Sequence, residues 1–227
     1  MLNPFLSSKE YAKIGIELVR QKKGGLDITP GFDNIFRAYL ECPWHKVHTV
    51  ILGQDVYFTK NKDKTYVADG IAFSARECSE PPSILNSIFE AIDTSVYNGD
   101  YTTTAVYNHN RKEATWDLNR WARNGILLIN CSYTTVVGTP GSHMALWKPF
   151  TEFVLKLLND RKDSLGIVLM GPEAQSYETV FTNLSHHTFE CEHPATALYK
   201  QRKWNHRDVF ADLTKFQKKT NNITIDW

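Results

Sequence analysis

An aspartate, an asparagine and a histidine each stand where an apolar run stops. Asp55 follows "VILGQ", Asn130 closes "GILLIN", and His193 comes directly after "HHTFECE". A carboxylate offers acceptors and a negative charge, and a side-chain amide offers paired donor and acceptor. An imidazole offers either role near neutral pH. A fourth run, "LGIVLMG", ends at Gly171. A carboxylate at the end of a buried strand is costly to desolvate unless something uses it. Asp55 is therefore the residue to explain.

The apolar runs predict strands over 47–53, 125–130 and 165–171, with a weaker one over 186–193. Helical patterns lie around them. Residues 7–23 open with Ser and close in Lys before Gly24 and Gly25. Residues 81–92 start with two prolines, 115–125 end at a glycine, and 148–162 carry an apolar stripe. A further helix with Ala174, Tyr177 and Phe181 is expected after Gly171. The alternation implies one α/β domain over residues 1–227, with a core at about 30–210 and a central parallel four-stranded sheet flanked by helices on both faces. Residues 216–227 read as a polar tail, either poorly ordered or packing Trp227. Right-handed crossovers put every strand-end loop on one sheet edge, so Asp55, Asn130, Gly171 and His193 should converge.

The chain has 227 residues, 42% of them hydrophobic, and a formal charge of +1. That supports a real core and excludes both a disordered chain and a general cationic field. If nucleic acid is the partner, its basic contacts must be local. Cys42, Cys78, Cys131 and Cys191 lie far apart with no metal-ligand spacing, and are expected as reduced thiols. Neither a leader peptide nor an apolar run of about 18 residues is legible. A soluble protein of the cytoplasm, or of the nucleus in a eukaryotic setting, is expected.

Seven segments carry a resemblance: "GQDVYF" (53–58), "DGIAFSA" (69–75), "PPSILN" (81–86), "WARNGILLIN" (121–130), "GSHMALWKPFT" (141–151), "MGPEAQ" (170–175) and "EHPATALYK" (192–200). In this order and spacing they resemble uracil-DNA glycosylases of the family 1 type. The resemblance implies hydrolysis of the N-glycosidic bond of uracil in DNA, after the base is flipped out of the stack. It implies Asp55 as the group that orients water and offsets sugar cation, and His193 as the donor to the departing base anion. Asn130 would read N3–H and O4, Phe73 would stack on the base, and Tyr57 would crowd C5 against the thymine methyl. The backbone at Gln54 and Asp55 would bind O2. No cofactor or metal is implied. The partners would be single- or double-stranded DNA and an inhibitor protein of the DNA-mimic type, with the enzyme itself a monomer.

Departures from the family pattern are as informative. Val56 and Phe58 stand where the family has Pro and His. Of the phosphate-gripping serines Ser83 remains, while Pro172, Ala195 and Leu198 replace the others. Lys200, Arg202, Lys203 and Arg207 can substitute by charge, which steepens salt dependence. The wedge that fills the vacated stack falls at Ala197, with Leu198 or Tyr199 as the alternatives. The loop from Phe58 to Asp69 is long and carries Lys60, Lys62 and Lys64, either to meet DNA or as a solvated insertion.

Each residue taken singly has a plain reading: a turn for Asp55 and His193, loop support for Asn130, core for Phe73, a buried hydrogen-bonded ring for His143. Two other functions fit the same segments. One is a glycosylase of this fold for a modified pyrimidine, and the other a silent DNA-binding accessory protein.

Overall fold

Six strands appear in the computed structural model, which describes residues 2–99 and 116–227. They are β1 (Ile28–Thr29), β2 (Thr49–Gly53), β3 (Ile126–Asn130), β4 (Thr135–Val136), β5 (Gly166–Met170) and β6 (His187–Cys191). Every residue of β2, β3 and β5 is buried. Side chains alternate between the faces of a strand, so both faces of this sheet are covered. In β6 only the last residue is buried, as suits an edge.

The four long strands pair in parallel in the order β3-β2-β5-β6. Gly53 lies beside Asn130, and Leu52 beside Leu169. The carboxyl ends are therefore level, and the loops after them meet on one edge. β1 and β4 form a separate antiparallel pair, too short to leave a periodic signal in the sequence.

The helix Lys9–Lys23 starts where Ser8 Oγ accepts the Tyr11 N–H at 3.1 Å. Ser83–Val96 follows the two prolines directly. The helix expected from 148 begins earlier, at Met144, with Pro149 inside it. Burial of Trp147 and Phe150 outweighs the proline's lost hydrogen bond. After Gly171 the helix is only Pro172–Gln175, followed by a single 3-10 turn at Glu178–Val180. Of the stretch 115–125, Thr115 lies outside the described residues and the helix spans Asn119–Arg123.

The polar tail needs correction. Its first half belongs to a helix, Val209–Asn221, that buries Val209, Phe210, Leu213 and Gln217. Lys215, Lys218 and Lys219 line the solvent side and disguised that stripe. Trp227 is fully buried, edge-on to Trp121 and Phe210 at centroid distances of 5.3 Å, and its Nε1 donates to Thr214 Oγ1 at 3.0 Å. Trp227→Ala should lower the unfolding free energy by about 3–5 kcal/mol, read from urea denaturation.

Candidate active site

The site begins at Gly53, the last residue of β2. A Cβ there would fall on Asn130 Oδ1 and lie 2.7 Å from Phe73 Cζ. Only glycine lets the amide and the ring close over the strand end. Asn130 is 5% exposed, so its amide sits at the bottom of this edge. Phe73 adopts φ 66°, a left-handed conformation that costs a bulky residue on the order of 1–3 kcal/mol. Tyr57 supports it by donating its hydroxyl to the Phe73 carbonyl at 3.1 Å.

Asp55 follows within two residues. Its Oδ1 accepts the Val56 N–H at 2.9 Å, and its Oδ2 accepts the Gly141 N–H at 2.5 Å. Burial pushes its pKa up to about 6, against the pull of those two amides and of the Thr135 and Ser132 hydroxyls.

His193 caps the short helix Pro194–Tyr199. Its Nδ1 accepts the Ala195 N–H at 3.2 Å, so in the neutral ring the proton resides on Nε2. Burial pushes its pKa down to about 4. Gly171, at φ 86°, allows the histidine to approach: a Cβ there would lie 2.7 Å from His193 Cβ. The His193 and Phe73 rings are 6.1 Å apart, tilted by 36°.

Gln54, Asp55, Tyr57, Phe73, His193 and Tyr199 line one cavity of about 240 Å³. Asn130 does not line it; its Oδ1 and the Phe73 ring both close over Gly53, and Asn130 lines a smaller cavity of about 10 Å³ that shares Val56. Ser83 is exposed at the start of its helix, next to the cavity-lining Ile84. Leu198 and Arg202 instead line a separate groove of about 340 Å³, which none of Asp55, Phe73, Asn130 or His193 touches. Arg202 is ion-paired with Glu192, whereas Lys200 is exposed. Ala197 is 2% exposed and is out of reach as a wedge; Leu198 is 41% and Tyr199 79% exposed.

The long loop folds back on the body. Lys60 bridges to Tyr66 and pairs with Asp27 at 2.5 Å, while Lys62 and Lys64 remain exposed.

One functional group went unassigned in the sequence: the Gly141 N–H that holds Asp55. It lies in the turn "TPGSH", where Gly141 adopts φ 75°. Behind the turn runs a one-way chain of hydrogen bonds. Trp147 Nε1 donates to Thr134 Oγ1 at 2.7 Å, Thr134 to His143 Nδ1 at 2.8 Å, and His143 Nε2 to Gln21 Oε1 at 2.8 Å. His143 is thus a buried, bonded ring. Among the described residues no group of three His, Cys, Asp or Glu is placed to hold a metal ion.

The fold matches DNA glycosylases of known structure. Mimivirus uracil-DNA glycosylase superposes with a TM-score of 0.83 at 22% identity, covering 100% of this chain and 84% of that one. A variant of the mimivirus protein has been crystallised in complex with UGI. The glycosylase of Nitratifractor salsuginis superposes with a TM-score of 0.58 at 17% identity, covering 99% and 95%. In sequence, the uracil-DNA glycosylase of Streptococcus pyogenes serotype M6 is 31% identical over 228 residues, covering 100% of this chain and 95% of the relative. No family model matches. The chain belongs to the uracil-DNA glycosylase family.

Gly53→Ala should overpack the strand end, costing about 1–3 kcal/mol. A crystal structure would show the Phe73 ring or the Asn130 amide displaced.

Proposed function

We propose that the chain is a uracil-DNA glycosylase that cleaves the bond between C1′ and N1 of deoxyuridine and leaves an abasic site. The carrying observation is the cavity that gathers Asp55, Tyr57, Phe73 and His193, with the Asn130 amide and the Phe73 ring both closing over Gly53 beside it. A base within a duplex cannot enter it, so the nucleotide must be extruded. Phe73 takes the ring face and Asn130 the N3–H and O4 edge, which cytosine presents with donor and acceptor reversed. Tyr57 closes off C5.

As the glycosidic bond breaks, its electron pair leaves with the base, and positive charge grows on the sugar. The Asp55 carboxylate offsets that charge and orients the water whose oxygen bonds to C1′. His193 Nε2–H donates to the base O2 as the anion forms; a preorganised donor of this kind is worth about 10²–10³ in rate. With the base removed, Tyr199 and Leu198 stand ready to fill the gap in the stack. Ser83, Lys200 and Arg202 contact the backbone, Arg202 after exchanging Glu192 for phosphate. An inhibitor protein that mimics DNA would compete for the same face. The compartment is that of the DNA, cytoplasm or nucleus; among the described residues no helix is long and apolar enough to cross a membrane.

The test is excision from oligonucleotides carrying uracil, thymine or cytosine. Asp55→Asn should lower kcat by about 10²–10⁴. Asp55 works ionised and its pKa is raised to about 6. The rate of the parent enzyme should therefore climb as pH rises through about 6 and level off above it. His193 stays neutral down to about 4 and adds no limb in that range. A flat profile from pH 5 to 8 would remove Asp55 from the chemistry.

Asn130→Asp should begin to accept cytosine, and Tyr57→Ala to admit thymine. If neither relaxes selectivity, base recognition is built differently. Excision of a 5-substituted pyrimidine in place of uracil would favour the modified-base reading, for which Val56 and Phe58 are the observation.

A further inference from the structure

Asp69 is 1% exposed and gathers an unusual number of partners. Its Oδ1 accepts the Ile71 N–H at 3.1 Å. Its Oδ2 accepts the Ser74 hydroxyl at 2.6 Å and the Arg76 N–H at 3.0 Å. Arg37, 6% exposed, brings Nη1 to 2.9 Å from the same Oδ2, at an angle too poor for a hydrogen bond. Arg37 Nη2 meets both Asp117 oxygens at 2.7 Å. A buried ion pair between single residues is seldom a source of net stability; hydrophobic replacements do as well or better. Net stability alone therefore does not account for the pair.

Its geometry supplies a reason. The three donors to Asp69 come from residues 71, 74 and 76, on both sides of Phe73. The Ala72 N–H is fixed to the Leu128 carbonyl at 3.2 Å, and the Leu118 N–H to Ser74 Oγ at 3.1 Å. Phe73 is the one residue in this span with a left-handed backbone and a side chain, and its ring lines the cavity. A conformation that an aromatic residue avoids persists only where its surroundings over-determine it.

We propose that Asp69, braced by Arg37, is a positioning residue for base recognition. Its buried carboxylate ties residues 71, 74 and 76 together and holds Phe73 in its left-handed conformation, so that the stacking ring stands in the cavity before a base arrives. The assignment rests on the reading of Phe73 as the stacking face.

The experiment uses the full chain, uracil-containing single-stranded oligonucleotide and free uracil as an inhibitor. Asp69→Asn, Phe73→Leu and the double variant are compared. Asp69→Asn should raise KM and the inhibition constant for uracil by about tenfold, the scale of coupling within one network. The limb of the pH profile near 6 should not move. The double variant should be no worse than Phe73→Leu alone. Effects that multiply, or a lowered Tm with uracil inhibition unchanged, would overturn the proposal and leave Asp69 a structural brace. A crystal structure of Asp69→Asn reads the clamp without substrate: Phe73 departing from positive φ supports it, and an unchanged φ overturns it. If the parent protein neither excises nor binds uracil, the proposed function falls, and that structure still decides the clamp. Should Asp69→Asn fail to fold, Ser74→Ala, which removes one donor to Asp69, should shift uracil inhibition in the same direction by a smaller factor; no shift overturns the proposal.

Discussion

At Gly53 and Asn130 two parallel strands end side by side with no room between them for one methyl group. That steric limit organises the rest. Because β2 ends in a glycine, the Phe73 ring and the Asn130 amide can share the space above it. Because the strands run parallel and in register, the loop carrying Asp55 leaves the sheet beside Asn130 at the end of β3, with the loops after β5 and β6 alongside. The cavity is the gap those loops leave, and the sheet beneath, buried on both faces, makes its floor rigid.

The same desolvation acts on the two ionisable groups with opposite results. It raises the Asp55 carboxyl and lowers the His193 imidazole, because in each case the charged form loses hydration. Asp55 is left with two backbone donors, enough to hold an anion though not to restore its ordinary acidity. His193 accepts a backbone amide at Nδ1 and so keeps its remaining proton on the other nitrogen. The pair is an anion and a neutral donor at neutral pH, not an ion pair. Such an arrangement suits a reaction in which positive charge appears at one end of the broken bond and negative charge at the other.

Much of this was legible. Continuous apolar runs bounded by glycine located β2, β3 and β5 to within two residues at either end, since a strand buried on both faces needs no alternation. Their shared direction was enough to bring Asp55, Asn130 and His193 to one edge. What escaped depends on contacts remote in sequence. The tail helix was masked because three lysines stand among its four buried positions, one of which is the polar Gln217, buried while donating to the His48 carbonyl and accepting from Asn221. The early start of the helix at Met144 was hidden by Pro149, whose local cost is offset by Trp147 and Phe150 packing. Gly141 gave no sign that its amide mattered, since a turn glycine reads alike whether its N–H meets water or a carboxylate. Arg202 looked free because its partner Glu192 lies ten positions away on another segment.

The strand order has a bearing on how the chain is made. β2 is central but is synthesised before any of its neighbours in the sheet; β3 and β5 follow roughly seventy and more than a hundred residues later. Through that interval "TVILG" has two unpaired edges and no covering helix, the condition in which apolar strands associate with the wrong partner. Contacts so distant in sequence also slow folding, since long loops must close before they are rewarded. The residues that make the floor of the site rigid are thus the ones a nascent chain must shield longest.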